Sequence, residues 1–428
     1  MRVLRSGEKS FNQYLSGIER RMTEDPSRIE REVRSILRNV KKNGDKALLR
    51  YTQNFDNVRL TLSSLEVKKE EVKEAHKRVP RDFLKTLKKA AYRIQRFHQL
   101  SKKSWMVKWI EEGIRIEQVV RPMERIGIYV PGGKASYPST VLMAAIPARV
   151  AGVKEIIITT PPQPMGISPA ILVAADLVGV DRIFQVGGVQ AIGALAYGTE
   201  SIPKVDKIVG PGNRYVATAK RLVYGAVDLD MVAGPSEIVI ISDGKTLPSF
   251  VAADLISQAE HDERALSILL TPSESFAEKV EVEVDKQLLT LKRKKIARKS
   301  LQQRGAILIV KDLSHAVELA NRIAPEHLEL SVENPRRLAR SVKHAGAVFL
   351  GSHTPEAIGD YLAGPNHILP TAGTARYASA LGVEDFQKKT NLMQFSKKIL
   401  RRFEGDVKRF TQWEGLEGHY RSIEMRMK

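Results

Sequence analysis

Nine histidines and no cysteine set the chemical repertoire of this 428-residue chain. Four of the histidines stand beside other groups able to do chemistry. His261 follows Gln258 by three residues in Ser-Gln-Ala-Glu-His-Asp. On a helix the two share a face and can meet one ion or ligand, although the same pair suits a solvated helix end. Glu326 and His327, in Ala-Pro-Glu-His-Leu-Glu, join a carboxylate to an imidazole that titrates near neutrality, which equips them to move a proton unless they form a plain surface turn. Asp360 and His367 share the run Ile-Gly-Asp-Tyr-Leu-Ala-Gly-Pro-Asn-His. Its Gly, Pro and Asn content indicates an ordered loop, where binding residues concentrate, or a purely structural one. His419 lies five residues after Glu414 in a stretch that by itself reads as a solvated tail. His and Asp are borderline N/O ligands that suit zinc, but no HxxxH or HExxH spacing fixes a ligand count. The other five histidines, His76, His98, His315, His344 and His353, read as surface residues. The absence of cysteine excludes disulfides, thiolate metal sites and a cysteine nucleophile.

Two glycine turns offer a second kind of chemistry. Tyr129-Val-Pro-Gly-Gly and Val209-Gly-Pro-Gly-Asn213 each follow a short apolar strand and open a helix, where close backbone approach and free N–H groups suit a phosphate. Neither is the GxGxxG fingerprint, and each is also a plausible tight turn. The elements around them alternate. Strands are expected at 126–130, 155–160, 182–186 and 207–209, with helices at 139–150, 169–178, 190–197 and 213–224. The run of isoleucines at 156–158 implies a sheet covered on both faces. A second series follows, with strands at 237–242, 266–271, 306–310 and 347–350 and helices at 248–260 and 314–323. The fold class is therefore α/β, with two Rossmann-like parallel sheets. The first ~120 residues read as charged amphipathic helices broken at Asn43–Gly44. The tail from Val383 reads as helical.

The formal net charge is +20. The densest basic cluster, Lys292–Lys299, lacks interleaved aromatics and reads as a solvated helix face, so no nucleic-acid partner is expected. No apolar run is long enough to span a bilayer and the N-terminus lacks an apolar signal stretch, so a cytoplasmic location without membrane contact is expected.

Several long stretches together resemble one family. They are RIGIYVPGGKASYPSTVLMAAIPARVAGV, ALAYGTESIPKVDKIVGPGNRYVATAKR, DMVAGPSEIVIISD, DLISQAEHD, APEHLEL, TPEAIGDYLAGPNHILPTAGTAR and EGLEGH, spread over nearly the whole chain. The sequence resembles the L-histidinol dehydrogenases. That resemblance implies an oxidoreductase of histidine biosynthesis that converts L-histidinol to L-histidine through L-histidinaldehyde, with two NAD-dependent hydride transfers and one Zn2+ per subunit. It implies a homodimer with shared active sites. Carried over by position, Gln258, His261 and Asp360 are zinc ligands, completed by His419 of the partner subunit. Glu326 and His327 are the acid–base pair. Ser236, Gln258, His261, His327, Asp360, Glu414 and His419 contact substrate, with His367 as a further pocket residue. Tyr129, Gln190 and Asn213 bind the cofactor.

The implied organisation has four parts. They are a helical N-terminal segment (1–24), an α/β domain from 25–125 and 237–382 carrying the metal and acid–base residues, an NAD-binding α/β domain (126–236), and a helical C-terminal tail (383–428) reaching the partner. Without cysteine, the aldehyde is expected to react as its hydrate rather than as a thiohemiacetal. Two rivals are a paralogue acting on another hydroxymethyl compound and, from a different class, a basic nucleic-acid-binding protein.

Overall fold

Ile156, Ile157 and Ile158 are all fully buried, each removed from water on its own side of a sheet. Burying such a side chain contributes about 1.5–3 kcal/mol, so a run of three favours a central strand with helices on both faces. The computed structural model describes residues 1–21, 27–102, 107–132 and 136–428. Its strands in chain order are β1 (Arg2–Arg5), β2 (Val107–Glu111), β3 (Ile114–Pro122), β4 (Arg125–Tyr129), β5 (Glu155–Thr159), β6 (Arg182–Phe184), β7 (Lys207–Val209), β8 (Asp228–Leu229), β9 (Glu237–Ser242), β10 (Leu266–Thr271), β11 (Ala306–Ile309), β12 (His327–Ser331), β13 (Ala347–Leu350) and β14 (Gln387–Phe395).

These strands form three sheets. The order β6-β5-β4-β7-β8 builds a parallel five-stranded sheet, and β1-β11-β10-β9-β12-β13 a parallel six-stranded one. Each is packed on both sides by apolar helix faces. The two parallel sheets expected from the alternating pattern are present, with most element ends within two residues of expectation.

Four features differ from the expectation. The N-terminal segment begins not with a helix but with β1, which extends the six-stranded sheet beside β11 before the helix Lys9–Glu19. Residues 22–24 of that segment lie outside the described residues. The helices at 27–56, 69–78 and 81–101 were grouped with the 237–382 unit. Their apolar faces pack instead on the five-stranded sheet of 126–236, through Val33, Leu37, Val40 and Leu48 on one side and Ala75, Leu87, Ala90 and Ile94 on the other. The tail is not helical throughout, because β14 pairs antiparallel with β3, and β3 with β2, in a third sheet. His98 is no surface residue, being 2% exposed.

The expected break at Gly44 is a kink inside the helix Ser27–Asp56, at φ +48°. A Cβ there would collide with the Glu200 carboxylate, which accepts the Asp45 N–H at 2.8 Å. The basic cluster at Lys292–Lys299 places its lysines in solvent, as expected of a solvated face.

Candidate active site

β12 was not foreseen, and it positions the central pair. Ala324, in the left-handed region at φ +48°, ends the helix Leu313–Ile323. The chain then turns through Pro325 into β12, which pairs with β9 (His327 opposite Ile238) and with β13. Glu326 and His327 are thereby buried, at 7% and 4% exposure, rather than placed on a surface turn. They sit at the amino ends of β9 and β12.

The backbone of one residue, Glu237, holds both. The Glu237 N–H donates to Glu326 Oε2 at 2.9 Å, and the Glu237 carbonyl oxygen lies 3.0 Å from His327 Nδ1. Nδ1 therefore carries the proton and donates, and Nε2 carries the lone pair. Nε2 has no hydrogen-bond partner among the described residues. It lies 3.7 Å from Glu356 Oε1. Burial pushes His327 down to about 4, so the ring is neutral near pH 7. Burial also raises the Glu326 carboxyl well above the usual range, against the Glu237 N–H and with the negative charges of Glu237 and Asp360 adding to the rise.

The helix Glu356–Tyr361 brings two further carboxylates. The Glu356 N–H is anchored on Glu329 Oε1 at 2.7 Å. Burial and the Asp360 charge push the Glu356 carboxyl up to about 10. His327, Glu356 and Asp360 present ligand atoms within 4.8 Å of one another. Asp360 also holds His367, whose Nδ1 lies 3.1 Å from the Asp360 carbonyl oxygen and 3.7 Å from Oδ1. His261, just beyond the helix Pro248–Ala259, is close enough to lower the affinity of both His327 and His367 for a proton. Gln258, in the last turn of that helix, is 1% exposed, and its Oε1 has no donor among the described residues. A buried amide oxygen without a donor suits a cation, and together with carboxylate and imidazole it makes a donor set appropriate to Zn2+. Ser236 immediately precedes β9, its carbonyl accepting from Leu266 N–H at 2.9 Å.

Thus His261, His327, Asp360 and His367 converge with Glu326, while Gln258 stands one helical turn before His261. Glu414 and His419 do not join them. Both are exposed on the C-terminal helices Lys397–Glu414 and Glu417–Glu424 of this chain. Glu356 was missed by the sequence reading. Its only signal was its place four residues before Asp360, one helical turn away.

The cofactor candidates lie at or beyond the carboxyl ends of β4, β6 and β7, where parallel sheets collect ligands. Tyr129 ends β4, and its hydroxyl accepts the Gly188 N–H at 3.2 Å. Gln190 is 1% exposed, with neither amide atom bonded among the described residues. Asn213 Oδ1 caps the helix Arg214–Val223, accepting from Tyr215 and Val216. Gly210 sits at φ +108°, where a Cβ would strike the Tyr129 carbonyl oxygen, so the two cofactor turns touch through a contact only glycine permits. The turn after β4 runs into Gly133, outside the described residues. A link joins the two units: Asn366 Nδ2, in the Asp360–His367 loop, donates to the Met143 carbonyl at 2.6 Å.

Comparison with known proteins gives a consistent result. A family model described as histidinol dehydrogenase matches residues 19–427. The histidinol dehydrogenase of Syntrophotalea carbinolica is 51% identical, covering 100% of this chain and 99% of its own. That of Geobacter sulfurreducens is 50% identical, with 100% of both covered. The crystal structure of histidinol dehydrogenase from Elizabethkingia anophelis superposes with a TM-score of 0.91 at 38% identity, over 100% of this chain and 98% of that one.

Proposed function

Because this chain belongs to the histidinol dehydrogenase family, whose NAD-dependent members oxidise L-histidinol to L-histidine, we propose that Glu326 and His327 do the acid–base work of that reaction. The observation that carries this reading is the buried pair itself. The N–H and carbonyl of one residue, Glu237, fix the Glu326 carboxylate and the His327 tautomer, and leave His327 Nε2 3.7 Å from Glu356.

The conversion removes four electrons, so two hydrides leave to two NAD molecules in turn. In the first step His327 Nε2 takes the hydroxyl proton as hydride departs from the carbinol carbon, leaving an aldehyde. The aldehyde has no hydride to give until it is a tetrahedral adduct. The chain has no cysteine to form one, so water adds, with Glu326 taking its proton. Burial makes the ionised Glu326 a stronger base than a solvated carboxylate. The resulting gem-diolate gives the second hydride to NAD and becomes the carboxylic acid, which releases its proton to water to leave the carboxylate.

Gln258, His261 and Asp360 would hold Zn2+, together with His419 of the partner subunit. When bound, the ion offers a coordination point for the imidazole and amine nitrogens of histidinol, which orients the substrate. Ser236, His367 and the partner's Glu414 line the same space, while Tyr129, Gln190 and Asn213 hold NAD. In this assignment 126–236 is the NAD-binding unit and 237–382 carries the metal and acid–base residues.

The dimer is supported by the surface of the third sheet and tail. Trp109, Met393, Phe410 and Trp413 are 52%, 69%, 69% and 93% exposed. Large aromatic and thioether side chains grouped on one appendage mark an interaction surface.

The test is NADH produced from a limiting amount of L-histidinol. Two equivalents per substrate, abolished by a zinc chelator and restored by Zn2+, are expected. One equivalent with aldehyde accumulating, or no reaction, contradicts the proposal.

A further inference from the structure

We propose that Arg21 and Glu237 are positioning residues for the reaction, clamping the Glu237 backbone, whose N–H and carbonyl hold Glu326 and His327 in working geometry. The inference rests on the acid–base reading given above. Glu237 opens β9, and its N–H and carbonyl are the groups that engage Glu326 and His327. Its side chain is 3% exposed, accepts a backbone hydrogen bond from Glu326 and lies close enough to raise the Glu326 carboxyl, and the Arg21 side chain is 8% exposed. Arg21 grips it bidentately, Nε to Oε1 at 2.6 Å and Nη2 to Oε2 at 3.1 Å. Planar two-point pairing of this kind fixes orientation as well as position.

Two further guanidinium donors are also committed, one of Nη1 to the Ile18 carbonyl at 2.9 Å and the second of Nη2 to the Ile323 carbonyl at 2.7 Å. Arg21 therefore ties together the end of the N-terminal helix, the end of the helix that leads into β12, and the first residue of β9. Ala372 adds its N–H to the same carboxylate while lying in the left-handed region at φ +55°, a costly conformation for alanine that the surrounding structure must impose. Three segments distant in sequence thus converge on a side chain that touches no substrate, and its own backbone sets the two groups that do the chemistry.

The consequence is specific. Without the guanidinium, the Glu237 carboxylate is a buried charge without its counter-ion, and it must take up a proton, recruit water or swing out. Each response moves the backbone that orients His327 Nδ1–H and Glu326 Oε2. A displacement of about 1 Å can cost on the order of a hundredfold in rate. Among the described residues no hydrogen bond or ion pair joins Gln258 or His261 to Arg21 or Glu237, so metal and substrate binding should persist.

Arg21 also lines a surface cavity of about 610 Å³, with Arg2, Tyr14 and Gln303, which gives a small cation a path to the position of its head group. The test uses the zinc-loaded full-length enzyme. In Arg21→Ala, kcat for histidinol should fall roughly ten- to a hundredfold, while KM and zinc content stay near those of the parent. Added guanidinium at non-denaturing concentration should restore a substantial part of kcat. A parental kcat, a loss confined to KM, or a loss that guanidinium does not relieve overturns the proposal.

Should Arg21→Ala fail to fold, Arg21→Lys keeps a cation without the fork. It should show an intermediate kcat at unchanged KM, and parental kcat there overturns the clamp equally. Glu326→Gln and His327→Gln run in parallel separate the two ideas. If both keep parental turnover, the acid–base reading fails. If both lose turnover while the Arg21 variants keep it, the clamp alone fails.

Discussion

His327 can receive a proton at only one nitrogen, because Nδ1 is committed to the Glu237 carbonyl at 3.0 Å. That division gives the neighbouring carboxylate its separate task. In Glu326→Gln the first oxidation should continue at near-parental rate while the second slows by at least about a hundredfold, the usual scale for a lost general base. Single-turnover kinetics with histidinol and with the aldehyde read the two steps separately, and equal losses in both contradict the assignment. The metal donors make a second division. Gln258→Ala and His261→Ala should lower the zinc content of the purified protein, whereas Glu356→Gln should keep zinc and lower turnover. Retained zinc in the first two with loss in the third would move the metal toward the His327, Glu356 and Asp360 group. At this scale the sequence exposed side-chain types but not their burial. An adjacent Glu and His could be read as a surface turn, since nothing local announces that a helix ends in left-handed geometry and feeds a central strand. Glu356 was invisible for the same reason: an acidic residue opening a short helix looks solvated until the Glu329 carboxylate and the His327 ring are packed over it.

Strands made of short, mostly apolar runs were legible because a parallel sheet covered by helices favours such runs. Glu237–Ser242, Leu266–Thr271 and Ala347–Leu350 match their expected ends. β12 escaped because His-Leu-Glu-Leu-Ser alternates apolar and polar residues, and its polar members are buried rather than in water. β14 escaped because Gln387–Phe395 is mostly exposed and has only one hydrogen-bonded neighbour strand. The helix Arg81–Ser101 carries a buried group that titrates. Both ring nitrogens of His98 lack hydrogen-bond partners among the described residues, and burial pushes its pKa down to about 4. Below about pH 6.5 the unfolded chain binds a proton that the folded chain does not, so this contribution is present at neutral pH and is lost as pH falls from there toward 4. The loss amounts to at most about 3 kcal/mol. Denaturant titrations at neutral and mildly acidic pH should show His98→Leu losing less stability on acidification than the parent. An equal loss in both would show that His98 does not contribute.

In the proposed assignment two parallel sheets bring different ends to the chemistry, the carboxyl ends of β4, β6 and β7 for the cofactor and the amino ends of β9 and β12 for the acid–base pair. The Asn366–Met143 bond ties the units together, which no reading of either half alone could supply. The resemblance of long motifs over nearly the whole chain, rather than local spacing, identified the family and brought the scattered histidines together as one expected site. The organisation it implied put the helices of 27–101 with the 237–382 sheet, whereas they cover the other one, because an amphipathic pattern states that a face is buried and not against what. Glu414 and His419 remain exposed in their own chain, on an appendage rich in uncovered aromatics, so the site proposed here is complete only when a second copy supplies its tail. The decisive measurement mixes inactive His327→Ala and His419→Ala protomers. In a two-fold dimer, one site of each heterodimer collects both defects and the other neither, so isolated heterodimers should recover about half of the parental activity. Heterodimers with no activity above the two inactive parents would contradict the shared site and the account built on it.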